Sequence, residues 1–318
     1  MSIKVSVVVK SYNHAPYVHQ TIQSVLDQSF QDFEIVVTDD SSTDGTPDIV
    51  RNFQDKRIKL EVLSRNNGIS IAMNSVLARA KGKYIAILNS DDYALPGRLK
   101  RQVTFLEDRP DVSALFGLPL AVDENGNMTK LFNDFDRPLS FPDFNRATWL
   151  NSFFFRGNCL CAPTAMIRRS VYKRVGNYDP RLTNLQDLDM WIRMLKSGHN
   201  IFLLPEQFTA FRIRNDAKNM SAPRPDSILR SNFEMAQMYK HFSGMKHQLI
   251  REVFAKEIAQ AGINKGISPI LLLIEMALSA SSPAHNLFAL ELLDNVDDFH
   301  RLSDLAGKLN IFGISPLR

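Results

Sequence analysis

The sequence predicts an α/β protein: a mostly parallel sheet flanked by helices, followed by an all-helical extension. Three observations carry that expectation. Short β-branched runs alternate with helix-period segments as far as about residue 110. The first of them, Val5 to Val9, is apolar without alternation, as a strand covered on both faces must be. Beyond about Asp226, nearly every segment has helical periodicity instead.

Taken in order, the strand Val5 to Val9 leads to a helix over Tyr17 to Leu26, with Val18, Ile22, Val25 and Leu26 at helical spacing. Phe33 to Thr38 is the second strand and ends in Asp39 and Asp40. The turn-rich Ser41 to Gly45 precedes a helix from Pro47 to Phe53, with proline suited to its first turn. Ile58 to Leu63, Ile69 to Ala80 and Tyr84 to Leu88 read as strand, helix and strand, and Pro96 to Glu107 as a helix opened by Pro96 and closed before Pro110. Val112 to Val122 is a long strand, and Asn125-Gly126 carries a hairpin signal. Phe132 to Trp149 reads as irregular, a length of loop that usually carries function or disorder. Asp187 to Leu195 is helical, and Ile201 to Leu204 and Phe208 to Ile213 are two short strands. The expected division is residues 1–222 as one domain, in halves 1–110 and 111–222, with 223–318 as the helical extension.

Composition limits the function classes. The chain has 318 residues, of which 44% are apolar and 23% charged, with a net charge of +4. That small excess suits a protein handling anionic phosphates or lying near anionic lipid, and no Lys/Arg run interleaved with aromatics argues for nucleic acid. The two cysteines, Cys159 and Cys161, stand two residues apart; on a strand they share a face and read as buried reduced thiols in a reducing cytosol. The apolar stretch Ile267 to Ala280 contains Glu275 and is too short to span a membrane.

Open parallel sheets bind ligands beyond the carboxyl ends of their strands, near the point where strand order reverses. Four polar clusters fall on that edge: Lys10-Ser11-Tyr12-Asn13, Asp39-Asp40, Asn66-Asn67-Gly68 and Asn89-Ser90-Asp91-Asp92. No Gly-x-Gly-x-x-Gly or Gly-Lys-Ser/Thr loop is present, so dinucleotide and P-loop readings lack their phosphate cradle. The acidic pair Asp91-Asp92 suits a divalent cation, which turns carboxylate–phosphate repulsion into attraction. It reads equally as a solvated strand end or a helix cap.

These stretches resemble the family-2 glycosyltransferases of the GT-A fold, which is Rossmann-like. The matching segments are Val5 to Asn13, Ser24 to Gln28, Phe33 to Asp40 with Ser42 to Thr46, Asn66 to Gly68, Asn89 to Asp92, Val175 to Asp179 and Gln186 to Trp191. Together they cover about residues 3–221, and they are specific in combination though weak singly. The resemblance implies an inverting transfer from a nucleotide-diphospho-sugar, uridine-linked, to a hydroxyl of a glycan, lipid-linked sugar or protein in polysaccharide biosynthesis. It makes residues 1–110 the nucleotide-binding half and 111–222 the acceptor half.

Position by position, it implies that Lys10, Tyr12 and Asn13 pack around the nucleotide base and that Asp40 accepts a hydrogen bond from it. Asn66 and Gly68 let backbone approach the nucleotide, and Asn89 and Ser90 lie at ribose and diphosphate. Asp91 is the ligand of a Mn2+ or Mg2+ ion, and Asp187 is the general base. Each has a plainer reading: Tyr12 as a packing aromatic, Asp40 as a partner of the Ser42 and Thr43 amides, Asp187 as the N-cap of its helix, and Trp191 as a core residue. Asp189 is the weaker base candidate. Departures from the family pattern are Asn89 and Gln186 where acids are usual, Met73 where Arg is common, and Arg212 or Arg214 in place of a histidine.

For the extension, the basic residues Lys240, His241, Lys246, His247, Arg251 and Lys256 and the apolar run Ile270 to Ile274 read as a solvated face over packed helices. A homodimer contact, or peripheral attachment of a cytoplasmic protein to the inner face of the membrane, are the sharper alternatives. Against the transferase stand two other functions, a sugar nucleotidyltransferase and a catalytically silent nucleotide-sugar-binding module.

Overall fold

The computed structural model describes residues 3–130, 144–214, 219, 224–263, 266–280 and 282–294. Contacts divide the chain into two compact units, residues 1–146 with 158–224, and residues 147–157 with 225–318. The division therefore assigns 147–157 to the helical unit, where the sequence reading assigned it to the acceptor half. Of the irregular stretch expected over Phe132 to Trp149, residues 132–143 lie outside the described residues, and Arg146 to Trp149 are helical.

The first unit is built on an eight-stranded mixed sheet. Its strands are β1 (Val5–Ser11), β2 (Phe33–Asp39), β3 (Ile58–Val62), β4 (Tyr84–Asn89), β5 (Tyr93–Ala94), β6 (Val112–Val122), β7 (Met166–Arg168) and β8 (Asn200–Arg212), in the order β3-β2-β1-β4-β7-β6-β8-β5. β3, β2, β1 and β4 run parallel, as expected; β7 is antiparallel to β4 and β6, and β5 to β8. The helices of this unit are α1 (Ala15–Leu26), α2 (Thr46–Arg51), α3 (Ile69–Arg79), α4 (Arg98–Asp108), α6 (Arg169–Val175) and α7 (Gln186–Lys196). α5 (Arg146–Arg156) falls almost wholly to the second unit.

The core explains the continuous apolar strands. Val5, Val7 and Val9 of β1 share a cluster with Val18, Ile22 and Val25 of α1 and with Leu99, Val103 and Leu106 of α4. α3 packs on β1 and β2 as well, but its buried Ala72, Met73 and Val76 are absent from that cluster, so it covers the other face. A side chain on either face is thus removed from water, each Val or Ile contributing about 1.5–3 kcal/mol. Met73 is consequently a core residue.

Two boundaries differ from expectation for physical reasons. α4 begins at Arg98, because Gly97 has φ +79 and breaks the helix that Pro96 was expected to open. The two short strands expected over Ile201 to Ile213 are one strand, β8, whose pairing with β6 shifts register between Phe116 and Leu118. That irregularity absorbs Leu204-Pro205-Glu206, and Gly117 lies under it so closely that a Cβ would sit 2.6 Å from the Glu206 carbonyl.

The second unit holds α8 (Pro225–Ser243), α9 (His247–Val253), α10 (Ala255–Gln260), α11 (Pro269–Ala280) and α12 (Pro283–Leu293) with the bulk of α5. Phe154 is its centre, with the rings of Tyr239, Phe242, Phe254 and His285 about it at 4.9 to 5.1 Å. His285 Nε2 donates to the Phe154 carbonyl at 2.8 Å, and burial drops its pKa to about 4, so it is a neutral core histidine. The apolar run Ile270 to Ile274 faces this core through Leu272, Leu273 and Ile274, all fully buried. It is not the exposed dimer or lipid surface that the sequence left open.

Candidate functional site

β1 is the switch strand: β2 and β3 extend from one side of it and β4 from the other. The parallel register pairs Lys10 with Asn89 at the carboxyl ends of β1 and β4, and the Lys10 ammonium donates to Asn89 Oδ1 at 2.5 Å. Burial lowers the Lys10 pKa, while the carboxylates of Asp91, Asp92 and Asp187 act against it. One amine thus feels the β4 acids and the α7 acid together.

Beyond β4 the chain turns sharply, and buried groups hold the turn. The Thr21 hydroxyl of α1 contacts the carbonyls of Ser90 and Asp92 at 2.9 and 2.6 Å. Asp92 is fully buried, accepting from the Arg212 amide at 2.8 Å and from Asn89 Nδ2 at 2.9 Å, and burial beside Asp91 raises its pKa far above the usual carboxylate range. Arg212 is buried as well, donating to the carbonyls of Asp91, Asp123 and Glu124 and to Gln20. Its charge is used inside the fold, so Arg214 is the candidate that reaches the site. Arg214 Nε lies 3.5 Å from Asp91 Oδ2, and its Nη1 lies 3.1 Å from His14 Nε2.

The remaining nucleotide-side residues separate into floor and rim. Ser90 is fully buried with its hydroxyl 2.6 Å from His14 Nδ1, so its side chain is turned under the site rather than toward a ribose. Asp40 is buried and accepts the backbone amides of Asn67 and Gly68, both at 2.8 Å. It does not hold the Ser42 and Thr43 amides. Asp39 takes Ser42 and Asn13 Oδ1 takes Thr43. Gly68 has φ +87, which glycine adopts without strain as the loop turns into α3. Asn13, at φ +53, and Asn66 are exposed, and Tyr12 is 44% exposed, so the tyrosine is not a packing aromatic.

On the opposite side, Asp187 occupies the first turn of α7. Leu185 is the N-cap, so the capping role read for Asp187 does not apply. Its carboxylate accepts from the Leu188 amide at 2.8 Å and from Asn158 Nδ2 at 2.9 Å. Burial nevertheless lifts its pKa to about 6, with Lys10 pulling the other way. Asp189 is spent on an ion pair with Arg193 at 2.6 Å, and Trp191 is fully buried edge-on to Phe116. Cys159 and Cys161 are buried free thiols, in an irregular segment rather than on a strand. His14 and Asn158 are the contacts that sequence reasoning missed. His14 is one residue past the strand-end cluster Lys10 to Asn13; Asn158 lies in an irregular segment with no sequence signal at all.

A mostly parallel sheet flanked by helices, with acidic groups gathered at the carboxyl ends of its strands, is an architecture of the GT-A class. The glycosyl transferase family 2 model matches residues 6–176, and the chain belongs to that family. It is 30% identical to the uncharacterized glycosyltransferase MJ1057 of Methanocaldococcus jannaschii over 76% of this chain and 81% of that protein. It is 33% identical to the putative teichuronic acid biosynthesis glycosyltransferase TuaG of Bacillus subtilis over 67% of this chain and 80% of that one. Among solved structures it resembles S. aureus TarS 1-349 in complex with UDP-GlcNAc, with TM-score 0.63 and 20% identity over 96% of this chain and 89% of that one. It spans 53% of the longer TarS chain, at TM-score 0.63, 18% identity and 97% of this chain. At these identities the likeness to TarS is one of fold. No helix among the described residues is long and apolar enough to cross a membrane.

Proposed function

We propose that the chain transfers a hexose-type sugar from a UDP-sugar to an acceptor hydroxyl with inversion at the anomeric carbon. The observation that supports this most is Lys10, whose buried amine sits on Asn89 Oδ1 and feels Asp91, Asp92 and Asp187 together. In-line displacement needs a base across from the leaving group, and these acids come from different halves of one unit. Asp187 takes the acceptor proton: at a pKa of about 6 it is ionised at neutral pH and still basic enough to draw a hydroxyl proton toward it. Lys10 and Arg214 offset diphosphate charge, with the Lys10 amine held on Asn89 Oδ1. Tyr12 and Asn13 receive the base at the rim, and Asp40 shapes the Asn66 to Gly68 loop against it.

Among the described residues no three His, Cys, Asp or Glu side chains gather as a closed metal cage. A magnesium-type ion needs none, since it takes one or two carboxylates and completes its shell with substrate phosphate and water. Asp91, 7% exposed beside that edge, fits such an ion, Mn2+ or Mg2+. Bound there, the ion would stabilise the charge growing on a departing diphosphate.

Two likenesses support the donor and acceptor classes. TarS 1-349 is described with UDP and with UDP-GlcNAc, and a 40% identical E. coli relative over 32% of this chain, WfaP, is a UDP-Glc:alpha-D-GlcNAc-diphosphoundecaprenol glucosyltransferase. A lipid-linked acceptor puts the enzyme at the inner face of a membrane in the cytoplasm, where the exposed Ile228, Leu229 and Phe233 of α8 offer an apolar surface. Incubation with a panel of UDP-sugars and Mn2+ tests the proposal. Release of UDP without acceptor is expected. Pyrophosphate from a nucleoside triphosphate would instead mean a nucleotidyltransferase, and release of neither would mean a silent binding module.

A further inference from the structure

We propose that His14 is a second protein ligand of the divalent cation, paired with Asp91, and that the Arg214 guanidinium stands between the two until that cation arrives. The inference rests on the reading of Asp91 as a cation-binding carboxylate and adds a residue to it. Its starting point is donor chemistry. A guanidinium carries N–H donors and no acceptor, so the 3.1 Å contact between Arg214 Nη1 and His14 Nε2 requires a lone pair on Nε2. The proton is then on Nδ1, which donates to Ser90 Oγ at 2.6 Å. A metal-binding imidazole has this arrangement, one nitrogen open and the other N–H fixed on an oxygen. Ser90 is itself immobile: fully buried, with its carbonyl held by Thr21 at 2.9 Å.

The open nitrogen has a partner. Nε2 lies 3.7 Å from Asp91 Oδ2, and two donors with bonds of about 2.0–2.2 Å to one cation sit roughly 3–4 Å apart. Arg214 contacts both, at 3.1 Å from the imidazole and 3.5 Å from the carboxylate. A positive group thus already lies against both donors, through its Nη1 and Nε atoms. Diphosphate oxygens and water would supply the remaining ligands of an octahedral ion, about four of them. A nitrogen donor favours a transition cation over magnesium, so His14 also predicts selection of Mn2+. The competing account is a plain Arg214–Asp91 ion pair with His14 as a spacer.

Pulsed electron paramagnetic resonance of the wild-type protein with Mn2+ and UDP separates the two. Modulation from a directly bound nitrogen is expected, changing to the 15N pattern in labelled protein and absent in His14→Ala. Mn2+ titration in the presence of UDP should show binding weakened about tenfold or more in His14→Ala, with the preference for Mn2+ over Mg2+ reduced. Arg214→Met should bind Mn2+ more tightly than wild type when no UDP is present. Mn2+ binding that Asp91→Ala abolishes, but that shows no nitrogen modulation in the wild type, overturns the role of His14 and leaves Asp91 in place. Unchanged Mn2+ binding in Asp91→Ala removes the reading of Asp91 and this inference with it. The nitrogen signal is read on the unaltered protein, so a variant that fails to fold does not leave the question open.

Discussion

At the end of β4, acids and nitrogen groups are interleaved: Asp91 has His14 and Arg214 within 4 Å, and Asp92 is closed off by the Arg212 amide and Asn89. At the start of α7, Asp187 receives one backbone amide and one carboxamide, and the Lys10 ammonium acts on it. Similar side chains thus sit in dissimilar surroundings. Around Asp91 the β4 edge sets two nitrogen groups against one carboxylate, which suits the proposed diphosphate site, while Asp92 beside it is buried and pushed toward its neutral form. At the α7 edge burial outweighs the groups around Asp187 and raises its proton affinity, which suits the base proposed there.

The sharpest way to break this contrast is to neutralise each acid in turn. Asp187→Asn should lower the transfer rate by about 10²–10⁴-fold, the usual contribution of a general base, while UDP binding measured by calorimetry is retained. Asp91→Ala should do the reverse, weakening Mn2+-dependent UDP binding by about 10–100-fold. If both variants lose donor binding equally, the two edges do not have separate tasks. The acid limb of the rate profile sharpens the comparison further. Asp187 works ionised and its pKa is raised to about 6, so transfer should fall about tenfold per pH unit below that value. A limb near the ordinary carboxylate pKa, about 4, would mean another group is the base.

Stability gives a smaller readout with a definite sign. Burial raises the folded pKa of Asp187 above its unfolded value, so the ionised form costs the native state above about pH 6, and the cost vanishes below about pH 4 where both states are protonated. Asp187→Asn is therefore expected to stabilise the protein by about 1–3 kcal/mol at pH 8 and by nothing at pH 3.5, followed by denaturant melts. Equal effects at both pH values would show that shape, not charge, sets the difference.

How far the sequence exposed all this depended on whether a feature was local. β1, β2 and β4 are legible because strands covered on both faces must be apolar throughout, and the strand-end rule then leads to Lys10, Asp40 and Asp91. β8 read as two strands because Pro205-Glu206-Gln207 looks like a turn, and only the opposing β6 shows that a register shift carries it. α5 escaped because the side chains that justify its apolar residues, such as Tyr239, Phe254 and His285 around Phe154, lie about 85 to 130 positions away in sequence. The site divides likewise. Asp187 is visible in its motif, but Asp189 and Arg212 proved to be structural only once their partners were known.

Asn158 is the case that no pattern could supply, and it gives the smallest expected effect. Its carboxamide donates to Asp187 Oδ2 at 2.9 Å, and its own Oδ1 is held by the Leu160 amide at 3.2 Å, so the donor is aimed by local backbone. A donor to the ionised carboxylate favours that form and restrains the rise that burial causes. In Asn158→Ala the Asp187 pKa should therefore climb further, moving the acid limb up by about one unit, since a hydrogen bond to a charged group is worth about 1.5–3 kcal/mol before water replaces part of it. Transfer at pH 8 should stay near the wild-type rate while that at pH 6 drops. A residue that only supports the fold would lower the rate by the same factor at every pH, and that outcome would remove Asn158 from the machinery of the base.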